Sequence, residues 1–395
     1  MIVGRVELDA PAVGGEVVGR CPDGRVVFVA GGAPGDVADV ELVEERKRFA
    51  RGRIAALVVP SPDRVAPPCP HVAEGCGGCD WQHLDLDAQR RHRRRLVRDV
   101  LARQGGVADP VVQPGPEVPV GARTTVRGVA DGAGRFSFRR RRSHEPVPIE
   151  RCLVAHPLVD EVIRAGRFPA GAEVTVRAGA RTGERLVVVG ADGPVEVPDG
   201  VTVVTAAELA AGRRAWFHEE VAGRRWRVSA PSFFQASVEG AEALLSVVGD
   251  AIERHRPDAT RLVDLCAGVG LFAGALGEGR RVVAVERSRS SVADARVNLA
   301  DRDARILEVP VASWRPGRAD VVVADPARRG LERAGADAVA ATGADLCVLV
   351  NCDVGALGRD ALLLADVGYR HAGSTALDLF AHTGQVEVVS TFLRA

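Results

Sequence analysis

Four short apolar runs dominate residues 221–395 and restrict what this chain can fold into. They read RLVDLCAG from Arg261, RVVAVE from Arg281, ADVVVAD from Ala319 and DLCVLVN from Asp345, with helix-like segments between them. Runs this uniformly apolar fit strands covered on both faces. Parallel strands covered in this way need a long crossover, usually a helix, between each pair. The pattern predicts a mostly parallel, doubly wound Rossmann-like α/β domain over 221–395. Composition agrees with a folded globular protein and excludes a disordered or fibrous one, since 46% of residues are hydrophobic and 26% charged, with 52 basic against 52 acidic side chains.

Two further parts precede that domain. Residues 1–57 hold short strands between Gly-rich turns, with alternation at Ala38-Asp39-Val40-Glu41-Leu42 and a strand at Val26-Val27-Phe28-Val29 followed by the turn GGAPGD. A small β-barrel of the oligonucleotide-binding type is expected there. A proline-rich stretch (Pro60, Pro62, Pro67, Pro68) leads into a β-rich central part, 58–220. This part carries the basic run Arg90 to Arg95 (RRHRRR) on a helix expected from about Leu84 to Gln104, ended by Gly105-Gly106.

No run of eighteen apolar residues is present, and the opening MIVGRVELDAPAVGG lacks the basic and apolar regions of a secretory leader. A cytoplasmic protein with no membrane association is expected, where disulfides are rare. Nothing in the sequence calls for an obligate protein partner. The eight cysteines then need another explanation. Cys69 is followed, after six residues, by Cys76-Gly77-Gly78-Cys79, and Cys152 lies far downstream. The glycines are expected to let the backbone turn so that the flanking thiolates face one centre. Four thiolates suit zinc or an iron–sulfur cluster, and three clustered cysteines with one distant lean toward the latter. His71 and His83 read as supporting or surface residues rather than ligands.

The run ending Cys266-Ala267-Gly268-Val269-Gly270 is a strand entering a glycine turn, the place where open α/β sheets bind ligands. Gly268, Gly270 and Ala273 also satisfy G-x-G-x-x-G/A, so a nicotinamide-dependent oxidoreductase has to be weighed. Glu286, eighteen residues after Gly268, suits the two hydroxyls of an adenosine ribose, which NAD and S-adenosylmethionine share. The loop Asp325-Pro326-Ala327-Arg328 ends a later strand; a dehydrogenase has no need of it, whereas a methyltransferase uses such a loop between cofactor and base. Cys352 follows the strand ending at Asn351, at the same sheet edge as Asp325, while Cys347 inside that strand reads as core. Glu387, just before the last apolar strand, is in reach of that edge.

Together these segments resemble the RNA uracil-5 methyltransferase family, which makes 5-methyluridine in transfer or ribosomal RNA. The likeness spans nearly the whole chain. It covers a TRAM-like barrel, CGGCDWQH with its upstream cysteine, Phe138-Arg139-Arg140-Arg141-Arg142-Ser143-His144 before Cys152, and Ser232-Phe233-Phe234-Gln235. It continues through the DLCAGVG turn, the D-P-x-R loop, a post-strand cysteine followed by Arg359-Asp360, and the H-T-x-x-V-E ending. The resemblance implies an enzyme, with a 4Fe–4S cluster on Cys69, Cys76, Cys79 and Cys152. It also implies that Gln235, Glu286, Asp325 and backbone near Cys266, Gly268 and Gly270 contact S-adenosylmethionine. Cys352 would be the nucleophile and Glu387 the base. RNA is the implied partner, with Arg90 to Arg95 and Arg139 to Arg142 expected to hold its phosphates. The chain departs from the family at Asp353-Val354, where Asn-Pro is usual, and a carboxylate at Asp353 is expected to disfavour a neighbouring thiolate. A catalytically altered RNA-binding relative and an iron–sulfur oxidoreductase are the alternative readings.

Overall fold

A computed structural model describes residues 2–395. Strands β1 (Ile2–Pro11), β2 (Val17–Arg20), β3 (Val26–Ala30), β4 (Val37–Glu45) and β5 (Phe49–Val59) close into a barrel in the order β1-β2-β3-β5-β4. Its interior is filled by alternate side chains, among them Leu8, Val17, Val27, Val29 and Val40. The buried Asp36 carboxylate accepts from the amides of Ala33 (2.7 Å) and Ser61 (2.9 Å) and from Arg64 (2.7 Å), which pins the proline-rich stretch to the barrel.

Helix α1 (Leu86–Arg103) follows, capped by Asp85, whose side chain accepts from the Ala88 amide at 2.8 Å. After the short strand β6 (Val112–Pro114) comes a sheet built from β7 (Thr125–Ala130), β8 (Phe136–Arg139), β9 (Pro146–Pro148), β10 (Glu173–Ala178), β11 (Arg185–Val189) and β12 (Val201–Thr205), in the order β12-β11-β10-β7-β8-β9. Helix α2 (Pro157–Ala165) buries Val159, Val162 and Ile163 against it. A helical turn, α3 (Ala206–Ala210), and the hairpin β13 (Trp216–Val221) and β14 (Arg224–Ser229) lead to the last part.

That part runs α4 (Val238–His255), β15 (Arg261–Leu265), α5 (Leu271–Leu276), β16 (Arg281–Glu286), α6 (Arg289–Asn298), β17 (Ala304–Glu308), β18 (Val321–Ala324), α7 (Glu332–Thr342), β19 (Leu346–Asn351), α8 (Val354–Asp366), β20 (Tyr369–Leu377) and β21 (Glu387–Arg394). The eight-stranded sheet has the order β17-β16-β15-β18-β19-β21-β20-β6. Only β21 runs against its neighbours. Alternate residues serve two cores: Val321 and Val323 of β18 pack with α4, while Val322 and Ala324 pack with α1, α7 and α8. The sheet is therefore doubly wound, as the apolar runs predict.

Residues 86–114 depart from the sequence-based division at 58–220. The stripe Leu96, Val97, Val100 and Leu101 of α1 joins the core of the eight-stranded sheet, and β6 pairs with β20. The physical reason is coverage: α1 lies beside α8 and supplies apolar surface to a sheet face that its own crossover helices leave partly open. Among the described residues, no helix is long and apolar enough to cross a membrane.

Candidate active site

The C-terminal edge of the sheet gathers most of the residues singled out above. Leu265 lies beside both Val285 and Ala324, and Ala324 lies beside Leu349. Cys266, Glu286 and Asp325 therefore emerge together, at the point between β15 and β18 where the strand order reverses and open α/β sheets leave a crevice. In the turn, Cys266, Gly268 and Gly270 all have left-handed backbone (φ 61°, 55° and 92°). A side-chain carbon at Gly268 would meet nothing within 4 Å, so the glycine presents bare backbone to open space. One Glu286 oxygen accepts the Gly268 amide at 2.9 Å and the other the Ser288 amide at 2.7 Å, and each keeps further lone-pair capacity for a hydroxyl. Behind the turn, Asp264 accepts from the Ala273 amide at 2.9 Å while its Oδ1 is buried without a partner. Burial, with Asp325 and Glu286 nearby, pushes its carboxyl up to about 8.

Gln235 donates from Nε2 to Asp325 Oδ2 at 3.2 Å. Its loop is held from two sides by residues the sequence reading did not single out. Arg177 on β10 donates to the carbonyls of Ser229 (3.2 Å), Ala230 (3.1 Å) and Ser232 (2.7 Å). Asp294 on α6 accepts from the Ser229 amide (2.8 Å) and the Ser232 hydroxyl (2.7 Å). Neither follows a local pattern, because both reach the loop from other sheets and helices.

Cys352 and Glu387 are brought together by strand register. The antiparallel pairing of β19 and β21 sets Asn351 beside Val388, so the residue after β19 and the first residue of β21 face each other across adjacent strand ends. Burial, then Glu387 and Asp325, push the half-buried Cys352 thiol up to about 11, with Arg328 opposing them. Burial and Asp325 raise the Glu387 carboxyl well above its ordinary value, and burial alone takes Asp325 to about 7. Mutual influence of this kind marks three groups sharing one site. The Asp353 carboxylate turns into the first turn of α8 and accepts the Ala356 amide at 2.7 Å. The N-terminal end of α8 beside Cys352 favours a thiolate. Asp360 on the same helix accepts the amides of Leu331 (2.8 Å) and Glu332 (3.1 Å), which ties the loop after Asp325 to the helix that follows Cys352.

The cysteine segment is knitted to its surroundings residue by residue. Gln82 accepts the Cys69 amide at 3.0 Å; His71 accepts the Glu150 amide at 3.2 Å on Nε2 and pairs with Glu74 through Nδ1 at 2.6 Å. Both ring nitrogens of His71 are thus engaged, and His83 is turned to the Gly32 carbonyl (2.9 Å) in the barrel. All four thiols are free, and Cys79 feels Cys152, Cys76 and Cys69, with burial pushing it up to about 12. Amides donate to the sulfurs: Gly78 to Cys76, and Val154 and Ala155 to Cys152. Among the described residues no three His, Cys, Asp or Glu side chains close around a point as a single metal ion requires. Gly77 and Gly78 lie in a turn, as expected, without left-handed backbone. Gly77 is required by close approach instead, since a side-chain carbon there would lie 2.8 Å from the Arg139 carbonyl.

The two arginine runs are mostly committed within the protein. Arg93 is buried, Arg91 pairs with Asp63 (2.7 Å), Arg90 with Asp378 (3.0 Å) and Arg95 with Asp9 (3.4 Å). Arg139 pairs with Glu173, Arg140 with Glu145 (2.9 Å) and Arg142 with Glu16 (2.7 Å). Most of these acidic partners are distant in sequence, and Arg91, Arg139, Arg140 and Arg142 stay exposed beside them.

The TRAM domain family matches residues 3–55. An RNA methyltransferase of Streptomyces coelicolor, described as uncharacterized, is 36% identical over 98% of this chain and 91% of its own length. The 23S rRNA (uracil(1939)-C(5))-methyltransferase RlmD of Halomonas elongata is 32% identical over 94% of this chain and 86% of its own. Among solved structures, the Pyrococcus abyssi tRNA (uracil-54, C5)-methyltransferase bound to S-adenosyl-L-homocysteine superposes with a TM-score of 0.76. It covers 98% of this chain and all of its own at 22% identity, a likeness of fold.

Proposed function

The chain belongs to the S-adenosylmethionine-dependent RNA (uracil-C5) methyltransferases, and from that premise we propose that it methylates a uridine through a covalent adduct on Cys352, with Glu387 as the base. The observation that carries the reading is the facing of the Cys352 and Glu387 strand ends beside Asp325. Uracil C5 is a poor nucleophile. Bonding of the Cys352 sulfur to C6 moves the C5–C6 π electrons toward O4, and C5 of the resulting enolate attacks the sulfonium methyl group. The methyl–sulfur bond breaks and S-adenosylhomocysteine leaves. Glu387 takes the C5 proton, the C5–C6 double bond re-forms, and the C6–S bond breaks with its electrons returning to sulfur. Base help of this kind is typically worth about 10²–10⁴ in rate. The target base has to leave its stack first, at a cost of a few kcal/mol.

For the methyl donor, the bare backbone at Gly268 and the Glu286 carboxylate fit the adenosine end, and Gln235 and Asp325 fit the side facing the target base. Ribosomal RNA is the proposed substrate, supported by the 32% identity to the 23S rRNA enzyme over 94% of the chain. Mass spectrometry of nucleosides from separated rRNA and tRNA of cells lacking the gene tests this. Loss of 5-methyluridine from rRNA is expected, and loss from tRNA alone overturns the assignment.

Cys69, Cys76, Cys79 and Cys152 would hold a 4Fe–4S cluster. Four free thiols that influence one another, with amides donating to their sulfurs, suit such a cluster, and each thiolate of a cubane binds a different iron, so the sulfurs need not meet at one point. When bound, the cluster would supply iron–thiolate bonds joining three stretches of chain. Iron and sulfide analysis of protein purified without oxygen, against Cys79→Ser, tests it; colourless wild-type protein containing zinc would refute it.

A further inference from the structure

Resting on the roles proposed for Cys352 and Glu387, we infer that Asp80, Gln89 and Arg93 form a clamp that positions the Glu387 carboxylate for removal of the C5 proton. The segment entering β21 has unusual backbone: His382 sits at φ 63°, which a non-glycine residue holds only when its surroundings impose it. The surroundings come from nearly three hundred residues earlier in the chain. The His382 carbonyl accepts the amides of Asp80 (3.1 Å) and Trp81 (2.9 Å), and its amide donates to Gln89 Oε1 at 3.0 Å. The Asp80 carboxylate accepts the Gly384 amide at 2.9 Å. Arg93, buried within a run that reads as RNA-binding, donates to the carbonyls of Thr383 (2.7 Å) and Phe380 (3.1 Å) and to Asp378 (2.9 Å). Gly384 is pressed so closely on the barrel turn that a side-chain carbon there would lie 2.5 Å from Gly15 Cα. Three residues beyond Gly384 stands Glu387, buried.

These residues are assigned a positioning role, through the backbone that carries Glu387. They fix the backbone from which the base projects, and Asp80 makes the segment directly after Cys79 part of that support. The step they serve is the last one. The C5 proton moves to the Glu387 carboxylate, its bonding pair re-forms the C5–C6 double bond, and the C6–S pair leaves on Cys352. A displaced Glu387 leaves the earlier steps intact and strands the enzyme on methylated RNA.

The test uses full-length protein with methyl-tritiated S-adenosylmethionine and total RNA from cells lacking the gene. Arg93→Met and Gln89→Met remove clamp bonds, and Gly384→Ala displaces the same segment without removing any. For variants that melt cooperatively, turnover is expected to fall at least about tenfold while the labelled enzyme–RNA adduct that survives detergent accumulates. Hydrogen exchange is expected to speed up over residues 378–387 and not over β19. Adduct formation and turnover falling in parallel, or an unchanged adduct lifetime in Gln89→Met, overturns the clamp. A wild-type enzyme that transfers methyl groups yet never forms an adduct with RNA containing 5-fluorouridine overturns the covalent mechanism, and the clamp with it.

Discussion

The two halves of the crevice are built on different principles. The donor half, Cys266 to Gly270 with Glu286, comes from one strand, one turn and the next strand, and its key contact joins Glu286 to an amide only eighteen residues away. The reacting half, Cys352 with Glu387, exists because β21 inserts antiparallel between β19 and β20, and because a segment close to the barrel grips the loop before it. Local construction makes the donor half tolerant of distant change. Non-local construction makes the reacting half sensitive to it, so damage at Arg93 reaches Glu387 and leaves Glu286 untouched.

The largest effect is expected from Cys352→Ala, which removes the proposed nucleophile. Methyl transfer should fall to background while calorimetry still detects S-adenosylmethionine binding; residual turnover above background would undo the covalent step. Glu387→Gln should slow turnover by about 10²–10⁴ and leave the methylated adduct on the protein, visible as a labelled band in denaturing gels. Glu286→Gln probes the other half. Losing a charged acceptor for ribose hydroxyls should weaken donor binding by about 1.5–3 kcal/mol, roughly tenfold to a hundredfold, with little change in the rate at saturating donor.

Burial raises the acidic groups of both halves. Cys352 is pushed up to about 11 and Asp325 to about 7, so at neutral pH the thiol is protonated and Asp325 partly neutral, and burial also raises Glu387. The reactive forms are the deprotonated ones. The single-turnover rate should therefore climb with pH between 6 and 9, approaching about tenfold per unit where the thiolate fraction limits. A rate that falls over that range contradicts the assignment. The smallest effect is expected at Asp264, whose carboxyl is raised to about 8 in the fold. A raised folded value means that the folded state holds its proton more tightly, so this group's contribution to stability declines as pH rises from about 4 to about 8. Asp264→Asn should flatten the melting temperature over that interval, measured by scanning calorimetry.

The sequence by itself determined the layered α/β sheet, the barrel and the glycine turn, and it pointed to the side chains proposed to react. Those features are written in periodicity and in residues a few positions apart, where local backbone preference decides the outcome. Cys347 is a case in point: it reads as core from its place in an apolar strand, and it is buried between the sheet and its helices. The fate of most of the arginines and the support of Glu387 were decided only by tertiary structure. Each depends on a partner distant in sequence, Asp63 for Arg91 and Thr383 for Arg93. A charged side chain takes the role its neighbours leave it, and folding chooses the neighbours.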